Sequence, residues 1–149
     1  MAWLLDVNAL VALIDPLHLH HDSMHRWFEA RAPKAWATCP LVENGLVRVL
    51  SQPSYPSGRR SPAEVIGILE SLKLNHAGVH QTLPDDVSLA DPATFAREFL
   101  AGPKQVTDTY LLGLAKTHGL RLVSFDRSLP WQAVRGATRS LIELPLASC

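Results

Sequence analysis

Short apolar runs alternate with amphipathic stretches along the chain. Residues 2–7 form an apolar run without helical polar spacing and predict a buried strand. Asn8 can cap a helix through Leu13, which Pro16 closes. A helix over residues 22–32 carries Met24, Trp27 and Phe28 as its apolar members, and Pro33 ends it. Residues 35–39 predict a second strand. Pro40 suits the first turn of a helix to Leu50, where Val42, Leu46, Val49 and Leu50 make a stripe at i, i+4, i+7 and i+8.

The segment 52–61 is a loop by its Pro and Gly content. Ser61-Pro62-Ala63-Glu64 has the capping-box form and opens a helix to residue 74. Residues 79–83 predict a strand, and Asp91-Pro92 starts a helix to residue 100 that Gly102-Pro103 breaks. A helix follows over 106–118, stopped by Gly119. Residues 120–125 predict a buried strand and 140–144 a short terminal one. Strands alternating with helices imply right-handed crossovers and an α/β fold: a mainly parallel sheet with helices on both faces. No repeat, low-complexity tract or linker splits the pattern, so one domain over residues 1–149 is expected.

In open α/β sheets, ligands gather outside the carboxyl ends of the strands. Asp6 and Asp126 each follow an apolar strand and fall at that edge. One such Asp is ordinarily a turn or cap residue; two at one edge ask for more. Glu43 shares a helix face with Val47 and Leu50, and Asp108 shares one with Leu111, Leu112 and Ala115. Pairing with the helix dipole explains where Asp108 sits but not its inward direction.

Two carboxylates about 4 Å apart repel by about 4 kcal/mol at an effective dielectric near 20. Of the residues next to these four acids in sequence, the basic one is Arg127, beside Asp126. Such a set holds protons or a cation. Oxygen-only donors without Cys or His suit Mg²⁺ or Mn²⁺ rather than zinc. A Mg²⁺ site leaves positions for water and phosphate oxygens, which points to phosphodiester hydrolysis.

Composition narrows this further. The 47% hydrophobic and 19% charged residues exclude disorder. The 14 basic and 14 acidic residues cancel, which argues against an obligate, strongly basic nucleic-acid binder. A local patch exists all the same: Lys104, Lys116, Arg121, Arg127, Arg135 and Arg139 face only Asp108 and Asp126 in that stretch. Cys39 and Cys149 lack framework spacing and a CxxC motif, so a reducing cytoplasm is expected. The first apolar run has no basic leader and stops at Asp6, unlike a signal peptide. The apolar runs fall short of the ~20 residues that cross a membrane.

Four segments together resemble the PIN-domain ribonucleases, and among them the VapC-type toxins. They are LLDVNALVAL with Asp6 and Asn8, CPLVENGLVRVLS with Glu43, QVTDTYLLGLAKTHG with Asp108, and LRLVSFDRSL with Asp126. The resemblance implies a PIN-like α/β/α sandwich and a Mg²⁺-dependent endoribonuclease, with Mn²⁺ as a substitute. It also implies a homodimer silenced by a cognate antitoxin. Asp6, Glu43, Asp108 and Asp126 then look like the acidic site. Asp6 and Asp108 would take the first metal, and Asp126 and Glu43 would assist it, bind a second metal or orient water. Asn8 resembles a polar helper beside Asp6, and Ser124 stands where many relatives have Thr or Ser. Apolar faces of the early helices would supply the antitoxin groove.

The remaining features have simpler readings. His18, His20, His21 and His25 lack partners for a metal motif and read as a solvated helix start. Trp27, Phe28 and Trp36 read as core rather than as a base-stacking platform. Arg59 and Arg60, in the loop, and Arg127 are candidate RNA contacts. Two rivals stand beside the ribonuclease. An aspartyl-nucleophile phosphatase would use Asp6 to attack phosphorus, but usually carries a second Asp where this chain has Asn8. A non-catalytic RNA- or protein-binding relative would be expected to lack one of the acids.

Overall fold

Five short parallel strands join into one sheet in the computed structural model, which describes residues 2–31 and 35–146. They are β1 (Trp3–Leu5), β2 (Trp36–Thr38), β3 (His80–Thr82), β4 (Arg121–Val123) and β5 (Ile142–Glu143). Their order is β3-β2-β1-β4-β5. In register, Trp3 faces Trp36 on one side and Arg121 on the other. The central strands are apolar on both faces: Leu4, Leu5, Leu122 and Val123 are fully buried. This is what a sheet covered on both sides requires.

Among the described residues, five α-helices connect and cover the strands: α1 (Val7–Ile14), α2 (His21–Arg31), α3 (Pro40–Leu50), α4 (Pro62–Asn75) and α5 (Val106–Thr117). Helix α1 packs on α2 and α3, α3 packs on α4, and α5 lies against β1 and β4. The approach of α1 to α3 needs Gly45, because a Cβ there would stand 2.7 Å from Val7 Cγ2. Helix α3 has the predicted bounds. Helix α4 opens on the predicted capping box, with Ser61 Oγ accepting from the Glu64 N–H at 3.1 Å. Gly119 ends α5 at φ +74°, a conformation that favours glycine.

Two expectations are corrected. Asn8 does not cap α1. Asp6 does, its Oδ1 accepting from the Ala9 N–H at 2.7 Å, so the helix begins at Val7 and the strand ends at Leu5. The helix expected over residues 91–100 is absent; only a single 3₁₀ turn, Arg97–Phe99, forms there. The cause is a tertiary contact. Phe95 makes an antiparallel bridge with Val134, the Ala96 N–H donates to the Ala133 carbonyl at 2.8 Å, and the Arg135 N–H donates to Thr94 at 2.9 Å. Those backbone groups are committed to a distant segment and unavailable to a helix. The predicted end of α2, at residues 32 and 33, lies outside the described residues, as does Cys149.

The strand order fixes where a ligand can sit. The chain proceeds outward from β1 to β2 and β3, then returns to the other side for β4 and β5. The switch point lies between the carboxyl ends of β1 and β4, where the connections diverge and leave a crevice.

Candidate active site

Asp6 leaves the end of β1 at that crevice and is 1% exposed. Burial, then the negative charge of Asp108, push its pKa up from 3.8 to about 7. Asp126 adds to the rise, while the Ser124 hydroxyl and the Ala9 N–H oppose it. Asp108 stands in the first turn of α5, and burial followed by the charge of Asp126 raises it to about 6. Three of the four predicted acids therefore act on one another electrostatically. The sheet supplies this arrangement by setting β1 beside β4 and laying α5 across both.

Asp126 is held by its own loop. Its Oδ1 accepts from the Ser128 N–H at 2.8 Å and the Ser128 hydroxyl at 2.7 Å, and its N–H donates to Ser124 Oγ at 3.1 Å. Ser124 is fully buried and serves both Asp6 and Asp126. Its place between two acids was legible only as a polar residue inside an apolar strand run.

Glu43 is placed differently. Its Oε2 accepts from Lys73 Nζ at 2.9 Å and from the Thr38 hydroxyl at 2.5 Å. Thr38 Oγ1 also meets His80 Nε2 at 2.9 Å. Burial and the neighbouring Lys73 lower the pKa of His80 to about 4, so it is neutral near pH 7 and its Nε2–H can donate to Thr38. The expectation that the acids lack a cation thus needs correction at one position. Lys73 arrives from α4, and no local feature of the sequence marked it as the partner.

The other predicted residues fall around this centre. Asn8 is exposed in the first turn of α1 and lines a cleft of about 480 Å³ with Leu17, His18 and Tyr55. Arg127 is exposed beside Asp126. Arg59 is exposed in the loop before α4, whereas Arg60 Nη2 lies 3.8 Å from the fully buried Asp15. Asp15 also accepts from the Tyr55 hydroxyl at 2.6 Å and the Leu17 N–H at 3.0 Å. The Arg60 guanidinium therefore has a structural partner that accounts for its position. The histidine rings lie in two neighbouring pairs, His18–His20 at 5.9 Å and His21–His25 at 5.6 Å, and have further partners: His21 Nδ1 meets the Ala12 carbonyl at 2.8 Å, His25 Nδ1 lies 3.6 Å from Glu29, and His20 stacks on Phe125 at 4.4 Å.

The donor set suits a hard divalent cation. Its members are carboxylates whose mutual repulsion a cation would relieve, and Asp6 keeps one oxygen beyond its cap bond. Among the described residues, no group of three or more His, Cys, Asp or Glu side chains is arranged as a ready-made metal shell. Magnesium does not require one, since it commonly binds through one or two carboxylates and several waters.

An all-parallel sheet with paired acids at the switch point defines a class of α/β domain that works at its strand ends. A family model described as "PIN domain" matches residues 3–134, and the chain belongs to that family. "Ribonuclease VapC44" of Mycobacterium tuberculosis is 42% identical over 140 residues, covering 93% of this chain and 96% of that one. "Ribonuclease VapC38" of the same species is 46% identical over 123 residues, covering 83% and 84%. Among solved structures, FitAB bound to a DNA fragment matches with a TM-score of 0.66 at 16% identity, over 99% of this chain and 97% of that one. VapBC2 from Rickettsia felis, bound to a promoter DNA fragment, gives 0.61 at 15% identity, over 97% and 98%. The expected PIN-like α/β/α fold is the one observed.

Proposed function

We propose that this chain is a divalent-metal-dependent endoribonuclease, the toxin of a type II toxin–antitoxin pair. The carrying observation is the electrostatic crowding of Asp6, Asp108 and Asp126 at the switch point of the sheet. The names of its relatives, ribonucleases of the VapC kind at 42% and 46% identity, support RNA as substrate.

Asp6 and Asp108 would hold Mg²⁺, or Mn²⁺ in its place, with Asp126 assisting. When bound, the cation supplies an activated water and charge stabilisation for the leaving oxygen of a phosphodiester. Ser124 orients Asp6, and the Ser128 donors hold Asp126 in its turn. Glu43, fixed by Lys73 and Thr38, would act from the margin, orienting water rather than serving as a primary ligand. Asn8 would assist beside Asp6, and Arg127 and Arg59 would contact RNA phosphate. A cognate antitoxin, a homodimer, a cytoplasmic location and one domain over the full chain complete the reading. Among the described residues, no helix is long and apolar enough to cross a membrane.

The test is cleavage of an RNA pool by purified protein with Mg²⁺, with chelator, and in the Asp6→Asn and Asp108→Asn variants. Cleavage should vanish with chelator and in both variants. Metal-dependent cleavage that survives both substitutions would reject the site assignment.

A further inference from the structure

We propose that the cleft running outward from Asp126 is a nucleotide subsite: it seats the ribonucleotide next to the scissile phosphodiester, with its base on Phe99 and Trp131 and its phosphate on Arg127 and Arg139. The proposal rests on the RNA-cleaving reading above and adds where and how the strand is gripped. The cleft measures about 550 Å³ and includes Asp126 in its wall. That volume lies in the range of small-ligand sites, roughly 300 to 1,000 Å³.

Its walls combine two chemistries that a single nucleotide satisfies at once. Phe99 is 50% exposed, an unusual state for a large aromatic side chain, and Trp131 and Leu144 continue the apolar side. Stacking on such a face is favourable for every base. On the charged side stand Arg127 and Arg139. Arg31, Arg60 and Arg121 each lie within ion-pair distance of a carboxylate, whereas Arg127 and Arg139 have no such partner among the described residues. They are cations available to an external anion.

The cleft is tied mechanically to the acids. The loop that carries Arg127 is pinned by the Ser128 bonds to Asp126, and Gln105 Nε2 donates to the Ser128 carbonyl at 3.1 Å. Gln105 immediately precedes α5, whose first turn carries Asp108. A phosphodiester brought to Asp126 and Asp108 therefore leaves its neighbouring nucleotide at the mouth of this cleft. A nucleotide presents a planar base and an anion together, whereas the acidic side chains of a peptide that would match the two arginines offer no planar face to stack on Phe99.

The experiment measures binding of a labelled single-stranded RNA oligonucleotide to the full chain carrying Asp6→Asn, over a range of salt concentrations. Added to that background, Arg139→Gln should weaken binding and flatten the slope of log affinity against log salt by about 0.7, one phosphate contact on a single strand. Phe99→Ser should weaken binding about fivefold or more with the slope unchanged, as loss of stacking does. Phe99 and Arg139 are exposed, so neither change threatens the fold, and Arg26→Gln on the exposed face of α2 is the charge control. In chains with Asp6 intact, Phe99→Ser should erase any preference for the more strongly stacking bases on one side of the cut in mapped RNA ends, since differences in stacking strength are the source of base preference at such a wall. Binding and cut sites indistinguishable from the parent in both variants would overturn the subsite while leaving the nuclease reading standing. Arg139→Gln that spares RNA but loses antitoxin would overturn it in favour of a peptide site. A parent chain that neither binds nor cuts any RNA would overturn both readings.

Discussion

The ammonium of Lys73 on α4 meets Glu43 Oε2 on α3 at 2.9 Å, whereas Asp6, Asp108 and Asp126 act on one another. The two side chains are 31% and 19% exposed, so the pair is worth about 1 kcal/mol or less. Lys73→Met should lower stability by about that much, and by less at high salt, where the ion pair is screened. Urea denaturation at two ionic strengths measures this. Because Glu43 is already neutralised, Glu43→Gln should cost less activity than Asp6→Asn. An equal loss would mean that Glu43 leaves Lys73 in the working enzyme.

Asp126 repels both Asp6 and Asp108, yet its own turn needs only an acceptor oxygen for Ser128. Asp126→Asn keeps that acceptor and removes the charge. The metal-free variant should therefore melt at a higher temperature than the parent near pH 8, while its cleavage activity falls. A lower melting temperature would show that the carboxylate is a structural partner whose charge the fold requires.

The raised pKa values set a pH dependence with a definite sign. The folded chain holds protons on Asp6 up to about pH 7 and on Asp108 up to about pH 6, whereas the unfolded chain releases them near 3.8. Between those limits the folded state binds more protons, so stability falls as pH rises. Metal-free protein should lose stability from about pH 4 to about pH 7 through this pair, and the loss should shrink in Asp6→Asn. Magnesium must displace the same protons, so its binding near pH 6 should release protons measurable by calorimetry in buffers of different ionisation enthalpy. Metal binding without proton release would contradict the raised values.

What the sequence made legible was local. Asp108 stands where helix periodicity marks an acid out of place, and Asp6 and Asp126 each follow an apolar strand at the edge where ligands gather. Their neighbourhood follows once β1 and β4 pair, which the α/β alternation implies. What stayed hidden depended on pairs far apart in the chain. Lys73 lies thirty positions from Glu43, and nothing in the period of α4 says that its one lysine turns toward α3. Asp15, beside Pro16, looks like a loop residue, yet it is fully buried and engages Tyr55 and Arg60 across forty positions or more. Asp6 and Asn8 are both competent caps; the choice fell to the residue whose backbone is extended at the strand end, φ −76° and ψ 174°.

The same long-range logic explains the missing helix at residues 91–100 and yields the last prediction. Phe95 is 2% exposed, and its ring lies against Gly113 of α5 so closely that a Cβ at Gly113 would overlap it. Gly113→Ala improves local helix propensity by about 1 kcal/mol, but overpacking at such a contact costs about 1 to 3 kcal/mol. Steric overlap with a ring that the 94–96 bridge to residues 133–135 holds in place should dominate, so the variant should be destabilised. Phe95→Leu alone should also destabilise, through lost burial. The double variant should lose less than the sum of the two, because the smaller side chain makes room for the methyl group. Equilibrium denaturation of the four chains closes this cycle, and strict additivity would mean that the Phe95 ring does not rest on Gly113 in solution.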